Sequence, residues 1–429
     1  VTSRKEPSPD GVRRWRAGLF VLFVIVGVTM SSWITRTPDI RDAIGASTAG
    51  MGLVILGLSL GAMIGVLGSG QLVARYGGRP VAGTGIALVV LGPVLVGTGA
   101  VTGAGGLVFA GLVIFGSGSG LMEIAVNIEG AAVERALSRP VLPALHGCFS
   151  AGTVVGAAGG IALTGIDFAV SWHLCLISAL CAPAAAWAVR QLPAGTGREG
   201  AGATDEPRLT RAERLAVWRE PRTLMLGAIV LGMALAEGAA NDWLPLIMVD
   251  GYDLDATTGS LVYTLFAAAM ATGRFGGEFV LARLGRVVVV RGSAVLAAVG
   301  ILIVVFAPHP ALAAVAVVLW GLGAALGFPV TISAAGDSPH HAAARVSAVA
   351  TIAYLAFLAG PPALGLLGEH TGLRNAMLAV AFVALLVSTL ASAARRPAAP
   401  AGGTGRAATG TGPRPAAAPA PPSARNPAD

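Results

Sequence analysis

The stretch Gly70-Gln71-Leu72-Val73-Ala74-Arg75-Tyr76-Gly77-Gly78-Arg79 decides how the whole chain is read. It is a polar island between two long apolar runs, 47–73 and 80–100. Glycines allow a tight turn, and arginines on either side of it hold a loop at the level of lipid headgroups. The echo Arg283-Leu284-Gly285-Arg286 stands 208 residues further on, again between two apolar runs. A chain that repeats a basic turn between hydrophobic segments is built to cross a bilayer many times.

Composition agrees. Of 429 residues 55% are hydrophobic and only 12% charged, where a soluble domain carries about 25%. Mean hydropathy is +0.75. So little polar cover excludes a soluble enzyme. Runs long enough for a helix of about 20 residues fall at 17–35, 47–73, 80–100, 106–128, 144–165, 171–189, 223–244, 257–280, 287–307, 311–333, 346–368 and 373–394. The expected fold is therefore an all-α membrane protein with twelve transmembrane helices in two pseudo-symmetric six-helix bundles. The divisions are a 1–16 N-terminal segment, a 17–189 bundle, a 190–222 linker with a short amphipathic helix near 208–219, a 223–394 bundle and a 395–429 tail. The tail is 8 Pro, 5 Gly and 11 Ala in 35 residues and is expected to be disordered. The first apolar run has no cleavage site of small residues behind it and reads as a spanning helix rather than a signal peptide.

The net charge of +7 does not point to nucleic acid. Of 29 Lys and Arg, 24 fall on the side that holds both termini, 3 on the other and 2 inside spans, which places both termini in the cytoplasm. Cys148, Cys175 and Cys181 lie inside apolar runs without a CxxC pair, so neither a disulfide framework nor a metal site is expected, and no cofactor. The glycines of Gly116-Ser117-Gly118-Ser119-Gly120 lie in an apolar helix and form no nucleotide loop. The partners are the bilayer, a small-molecule substrate and protons, for a chain expected to be monomeric.

The halves echo each other further. Trp33 precedes Ser47 by fourteen residues and Trp243 precedes Thr257 by fourteen; Phe149 and Gly152 match Phe357 and Gly360 at an offset of 208. Duplicated six-helix units suit alternating access.

The 70–79 loop and its echo resemble the major facilitator superfamily, whose pattern there is Gly-x-Leu-x-Asp-Arg-aromatic-Gly-x-Arg. Ala74 stands where the family has Asp. A narrower resemblance is to the bacterial fucose-permease-like group with its YbjJ-type members. It is carried by Ser32-Trp33-Ile34-Thr35-Arg36-Thr37-Pro38-Asp39-Ile40-Arg41, by span 4 from Phe115 to Gly130, and by Asn241-Asp242-Trp243 after Glu237. The resemblance implies a secondary transporter of the bacterial plasma membrane, often proton-coupled, with a cavity lined by spans 1, 4, 7 and 10 and contact between the halves along spans 2, 5, 8 and 11.

Ionisable residues inside spans need a reason, since each costs roughly 2.5–3.5 kcal/mol at a helix centre even on insertion scales. Glu123 and Asn127 share one face of span 4, and Glu237 and Asn241 one face of span 7. Glu123, Glu237 and His146 are candidates for proton coupling. Asn127, Asn241, Asp242, Trp33 and Arg36 are candidates for substrate contact; the plain alternatives are an interfacial acid for Asp242 and an interface-belt anchor for Trp33. Gly70, Arg75, Gly77, Arg79, Arg283 and Gly285 form the gating loops, with Arg274 and Glu278 as an i, i+4 ion pair beside them. Small residues repeat every four positions at Gly57, Gly61 and Gly65, at Gly152, Gly156 and Gly160, and at Ala269, Gly273 and Gly277, where helices approach closely; these stripes are expected at the sliding contact between halves. The run Gly156-Ala157-Ala158-Gly159-Gly160 resembles the antiporter motif Gly-Pro-x-x-Gly-Gly but lacks its proline and is one residue shorter. Uptake of a small polar, sugar-like solute is the first expectation. Efflux of amphipathic compounds by proton antiport and a non-transporting membrane sensor are the alternatives.

Overall fold

The computed structural model describes residues 9–137, 141–198, 211–337 and 341–396. The tail 397–429 and the linker stretch 199–210 lie outside the described residues, and with them the expectation of a disordered tail. Among the described residues, eleven helices are long and apolar enough to cross a membrane. They are α1 (Pro9–Ile34), α3 (Thr48–Tyr76), α4 (Gly78–Val101), α5 (Gly105–Leu137), α6 (Leu142–Thr164), α7 (Val170–Gln191), α9 (Pro221–Tyr252), α10 (Ala256–Phe306), α11 (Pro310–Ala335), α12 (Ala342–Thr371) and α13 (Leu373–Thr389), the last extended by a 3-10 turn, Leu390–Ala394. Two short helices, α2 (Thr37–Ala43) and α8 (Arg211–Val217), lie between them.

Helix α10 supplies the twelfth crossing. Its 51 residues, at about 1.5 Å each, would run on the order of 75 Å, more than twice a hydrocarbon core of roughly 30 Å. The helix breaks at Gly285, with φ 72° and ψ 162°. Gly77, its counterpart 208 residues earlier, has φ 89° and ψ 166° between α3 and α4. The same left-handed turn recurs at the same place in each half, where a side chain would be strained. The sequence echo is therefore an echo of backbone conformation.

Several helices outrun their apolar stretches. α1 begins inside the expected N-terminal segment, with Val12 and Trp15 buried. α5 runs nine residues past the apolar stretch that ends at 128, and α9 eight past 244. The added turns of α9 are held by burial of Pro245 to Met248 against other helices, and those of α5 carry the exposed Arg135.

The small-residue stripes do not lie between the halves. A Cβ on Gly57, Gly61 or Gly65 would strike the α5 backbone at Phe109, Val113 and Ser117, inside the first bundle. Gly152 and Gly156 press on α1 at Val24 and Val28 and Gly160 on Thr35 just past its end, and Gly273 and Gly277 press on α11 at Ala325 and Leu326. Close backbone approach is what binds helices within a bundle when lipid offers no hydrophobic drive, so the stripes rigidify each half. The halves meet elsewhere on α3, α6, α10 and α12: Gly52 of α3 lies against Pro361 and Gly365 of α12, and Gly147 of α6 lies under the Phe275 ring of α10.

At the end that carries Pro9, Gln191, Pro221 and Ala394, here the terminal end, charged clasps tie the second bundle. Arg345 at the start of α12 grips Glu220, just before α9, through Nε at 2.6 Å and Nη2 at 2.9 Å. The Arg345 guanidinium holds the Glu220 carboxyl below the usual carboxylate range. A lowered native value stabilises above the unfolded pKa of about 4.3 and is lost as pH falls through the native one. The clasp is expected to stabilise wild-type protein over Glu220→Gln near neutral pH, with the difference vanishing in acid, below about pH 4. Thermal unfolding of both proteins in detergent across that range checks this; a gap that persists in acid would remove the charge from the explanation.

Candidate functional site

A cavity of about 920 Å³ lies between the bundles, running from the middle of the molecule toward the terminal end. Its wall is broader than spans 1, 4, 7 and 10. Residues of α3, α6, α10 and α12 join those of α1, α5, α9 and α11, because the helices that meet at the far end diverge below it.

That far end is closed. Arg41 of the α2 segment pairs with Asp250 near the end of α9. Ser260 Oγ of α10 donates to the Thr35 carbonyl at 2.8 Å, and the Ala49 amide donates to Glu369 Oε2 at 3.0 Å. With one end sealed and the cavity reaching toward the other, the molecule faces the side of its termini.

Glu123, Glu237, His146, Asn241, Asp242, Arg274 and Glu278 all line the cavity. Glu123 sits on α5, and its Oε1 accepts from Asn127 Nδ2 at 3.3 Å, so Asn127 acts on the site through Glu123. Tyr354 of α12 is close enough to Glu123 to interact with it electrostatically. Glu237 is fixed on α9 beside Ala236, whose carbonyl accepts from Trp320 Nε1 of α11 at 2.9 Å. Asn241 Oδ1 accepts from the Tyr263 hydroxyl at 3.4 Å. The His146 ring meets Phe23 edge-on at 5.2 Å.

Three expectations are corrected. Arg274 does not pair with Glu278 one turn along its own helix. Its Nη2 reaches Glu237 Oε1 at 2.8 Å across to α9, which neutralises two charges at one depth and leaves Glu278 exposed to the cavity. Asp242 is no interfacial acid: α9 continues ten residues beyond it, and its side chain is only 8% exposed. Trp33 and Arg36 do not line the cavity. Trp33 is buried rather than in an interface belt. Arg36 is 3% exposed and ties the far end together, with Nη1 to Asp39 at 2.7 Å, Nε to His173 Nδ1 at 3.1 Å and Nη2 to the Phe168 carbonyl at 2.7 Å.

The gating loops lie beyond the cavity mouth. Arg75 stacks on Tyr76 and Arg283 on Phe279. Gly70 has open space around it, and Gly77 and Gly285 make the turns. No ion pair is described for Arg79. Tyr354, Phe275 and Phe328 are not among the site residues that the sequence singles out, and Phe149 and Phe357 stand out in it only as a repeat pair. The same offset finds Tyr354, which occupies the position of His146 plus 208.

The family model described as Major Facilitator Superfamily matches residues 18–358. The chain belongs to the major facilitator superfamily. An uncharacterized MFS-type transporter of Yersinia pestis is 30% identical over 377 residues, covering 87% of this chain and 93% of the relative. Among solved structures, a point mutant of the nucleoside transporter NupG superposes with a TM-score of 0.72 at 14% identity, covering 89% of this chain and 99% of that one. The Escherichia coli fucose:proton symporter FucP superposes at 0.62 with 17% identity, covering 89% and 98%. At such identities these structures show the fold alone; membership of the family makes the chain a multi-pass membrane transporter and not an enzyme.

Proposed function

We propose that this chain is a proton-coupled secondary transporter of a small polar organic solute, working by alternating access in the bacterial plasma membrane with both termini in the cytoplasm. The observation that carries the reading is the cavity itself, closed at the far end and lined by Glu123, Glu237, Asp242 and Glu278. Carboxylates in a water-poor cavity exchange protons as their surroundings open and close, which couples a proton gradient to the rocking of two bundles. FucP, a fucose:proton symporter by name, shares the fold and supports proton coupling. The fucose-permease-like resemblance of spans 1, 4 and 7 supports uptake over efflux.

Purified protein in proteoliposomes, offered labelled sugars, amines and organic acids under an imposed pH gradient, is the test. Gradient-driven accumulation is expected for one of these classes, abolished by a protonophore. Glu123→Gln should lower that accumulation at least about tenfold, on the order of 1.4 kcal/mol in coupling, while solute exchange without a gradient persists. Unchanged accumulation by Glu123→Gln would remove the proton role. Binding without flux under any gradient would make the protein a sensor.

A further inference from the structure

We infer that the solute this cavity takes carries a positive charge and is an organic ammonium compound; the inference rests on the transport reading above. Its ground is the charge balance of the lining. Four carboxylates face one permanent cation, Arg274, and that cation is bound to Glu237 at 2.8 Å. Glu123 has only the neutral amide of Asn127. No hydrogen bond or ion pair is described for Glu278.

Asp242 is the decisive residue. It is more than nine-tenths buried, lines the cavity and has no hydrogen bond or ion pair described. Gly238, one turn earlier on α9, lies under the Phe357 ring of α12: a Cβ there would stand 3.2 Å from that ring and 3.9 Å from Asp242 Oδ2, so ring and carboxylate are neighbours. Burying a carboxylate with no countercharge is costly; a proton or a cation brought from outside relieves that cost, and a cationic solute would take the place of the proton. His146, the other basic residue of the lining, packs against Phe23.

The rest of the wall fits the same ligand. Phe23, Phe149, Phe357 and Tyr354 present aromatic surface next to the acids. Ammonium groups are bound by a carboxylate together with aromatic faces, which attract a cation while removing its water. An anionic solute would meet three unpaired acids, with the one arginine already taken. A neutral polyol would find few donors here, the Asn241 side-chain NH2, the Tyr354 hydroxyl and scattered serines, against four carboxylates.

The test is a thermal-shift titration of the purified full chain in detergent. One set of probes is benzylamine, benzyltrimethylammonium and benzyltributylammonium. The matched set is benzyl alcohol, phenylacetate, fucose and inositol. At least one ammonium ion is expected to raise the unfolding temperature saturably, as mass action requires, with half-effect concentration at least about tenfold higher in Asp242→Asn. Glu123→Gln serves as a second variant should Asp242→Asn fold poorly, folding being judged by elution and helical content. No stabilisation by any ammonium ion, or an unchanged half-effect concentration in both folded variants, overturns the inference. Stabilisation by fucose or inositol alone, lost in Glu237→Gln, overturns the cation while leaving transport through this cavity standing.

Discussion

Gly52→Trp is expected to abolish transport and hold the molecule open at the far end. Gly52 lies where α3 of the first bundle crosses α12 of the second. A Cβ there would stand 2.7 Å from the Pro361 carbonyl and 3.2 Å from the Gly365 Cα. Both are backbone atoms of a helix and cannot swing aside. An indole at this crossing wedges the halves apart where Arg41–Asp250 and Ser260–Thr35 now close them. Overpacking a tight contact costs about 1–3 kcal/mol for an added methylene or two and more for an indole, so the closed state should fall at least tenfold in population. A cysteine placed at Ser260, fully buried in this state, reads the shift. With an impermeant maleimide offered from the far side it should react slowly in the wild-type background and at least about tenfold faster with Gly52→Trp. Equal rates in two folded proteins would mean that the α3–α12 crossing is not the far gate. The mutation leaves each bundle's own packing untouched, because Gly61, Gly116 and Gly120 bind α3 to α5 on another face.

What could be read from the sequence follows from what is local. Apolar length is a property of a short window, so the helices were legible, and the basic turn at 70–79 announced its twin at Gly285. Helix ends were less so: Asn241 and Asp242 look interfacial only if span 7 stops near 244, and packing against other helices carries α9 on to Tyr252. Glu123, Glu237 and His146 stand out because a polar residue in an apolar run has contrast. Tyr354 and the phenylalanines of the wall have none, since an aromatic residue in a greasy helix looks the same facing lipid or substrate. Partnership was the least legible. Arg274 has Glu278 one turn away and Glu237 37 residues away, and only the packing of α9 on α10 selects the distant acid. The same blindness put the glycine stripes at the sliding surface. Their period tells that a helix approaches closely, not which helix.

The second large effect comes from comparing the halves residue by residue, and it predicts opposite signs for two related acids. Asp337 and Glu129 are 208 residues apart and so match in the repeat, but Asp337 lies two residues past the end of α11 and Glu129 eight residues before the end of α5. Asp337 is clasped by Arg286 Nη1 at 2.6 and 2.8 Å and by Arg222 Nη2 at 3.2 Å. Arg222 also donates to the carbonyls of Ala393, Ala334 and Arg395. This knot joins the start of α9, the second part of α10, the end of α11 and the end of the last turn. In the first half the position matching Arg286 is Gly78, which abuts the Glu129 carboxyl, and the position matching Arg222 is the exposed Arg14. Glu129 is fully buried. Trp15 and Thr196 face it, yet neither of its oxygens has a hydrogen-bond partner of normal geometry. Removing Asp337 strands two half-buried guanidinium groups, a loss of about 2–4 kcal/mol once partial exposure is allowed for. Asp337→Ala should therefore lower the unfolding temperature in detergent by on the order of 5–10 °C. Glu129→Gln removes a charge that has no cation and keeps the shape, so it should leave that temperature unchanged or raise it. Equal losses for the two variants would mean that Glu129 has a cationic partner after all and that the first half is locked as the second is. The asymmetry, once measured, ranks the bundles: among the described residues the second is pinned at its terminal end by ion pairs, and the first by packing and by hydrogen bonds of backbone amides, Val141 and Leu142 to Glu134 and Gly78 to the Thr196 carbonyl.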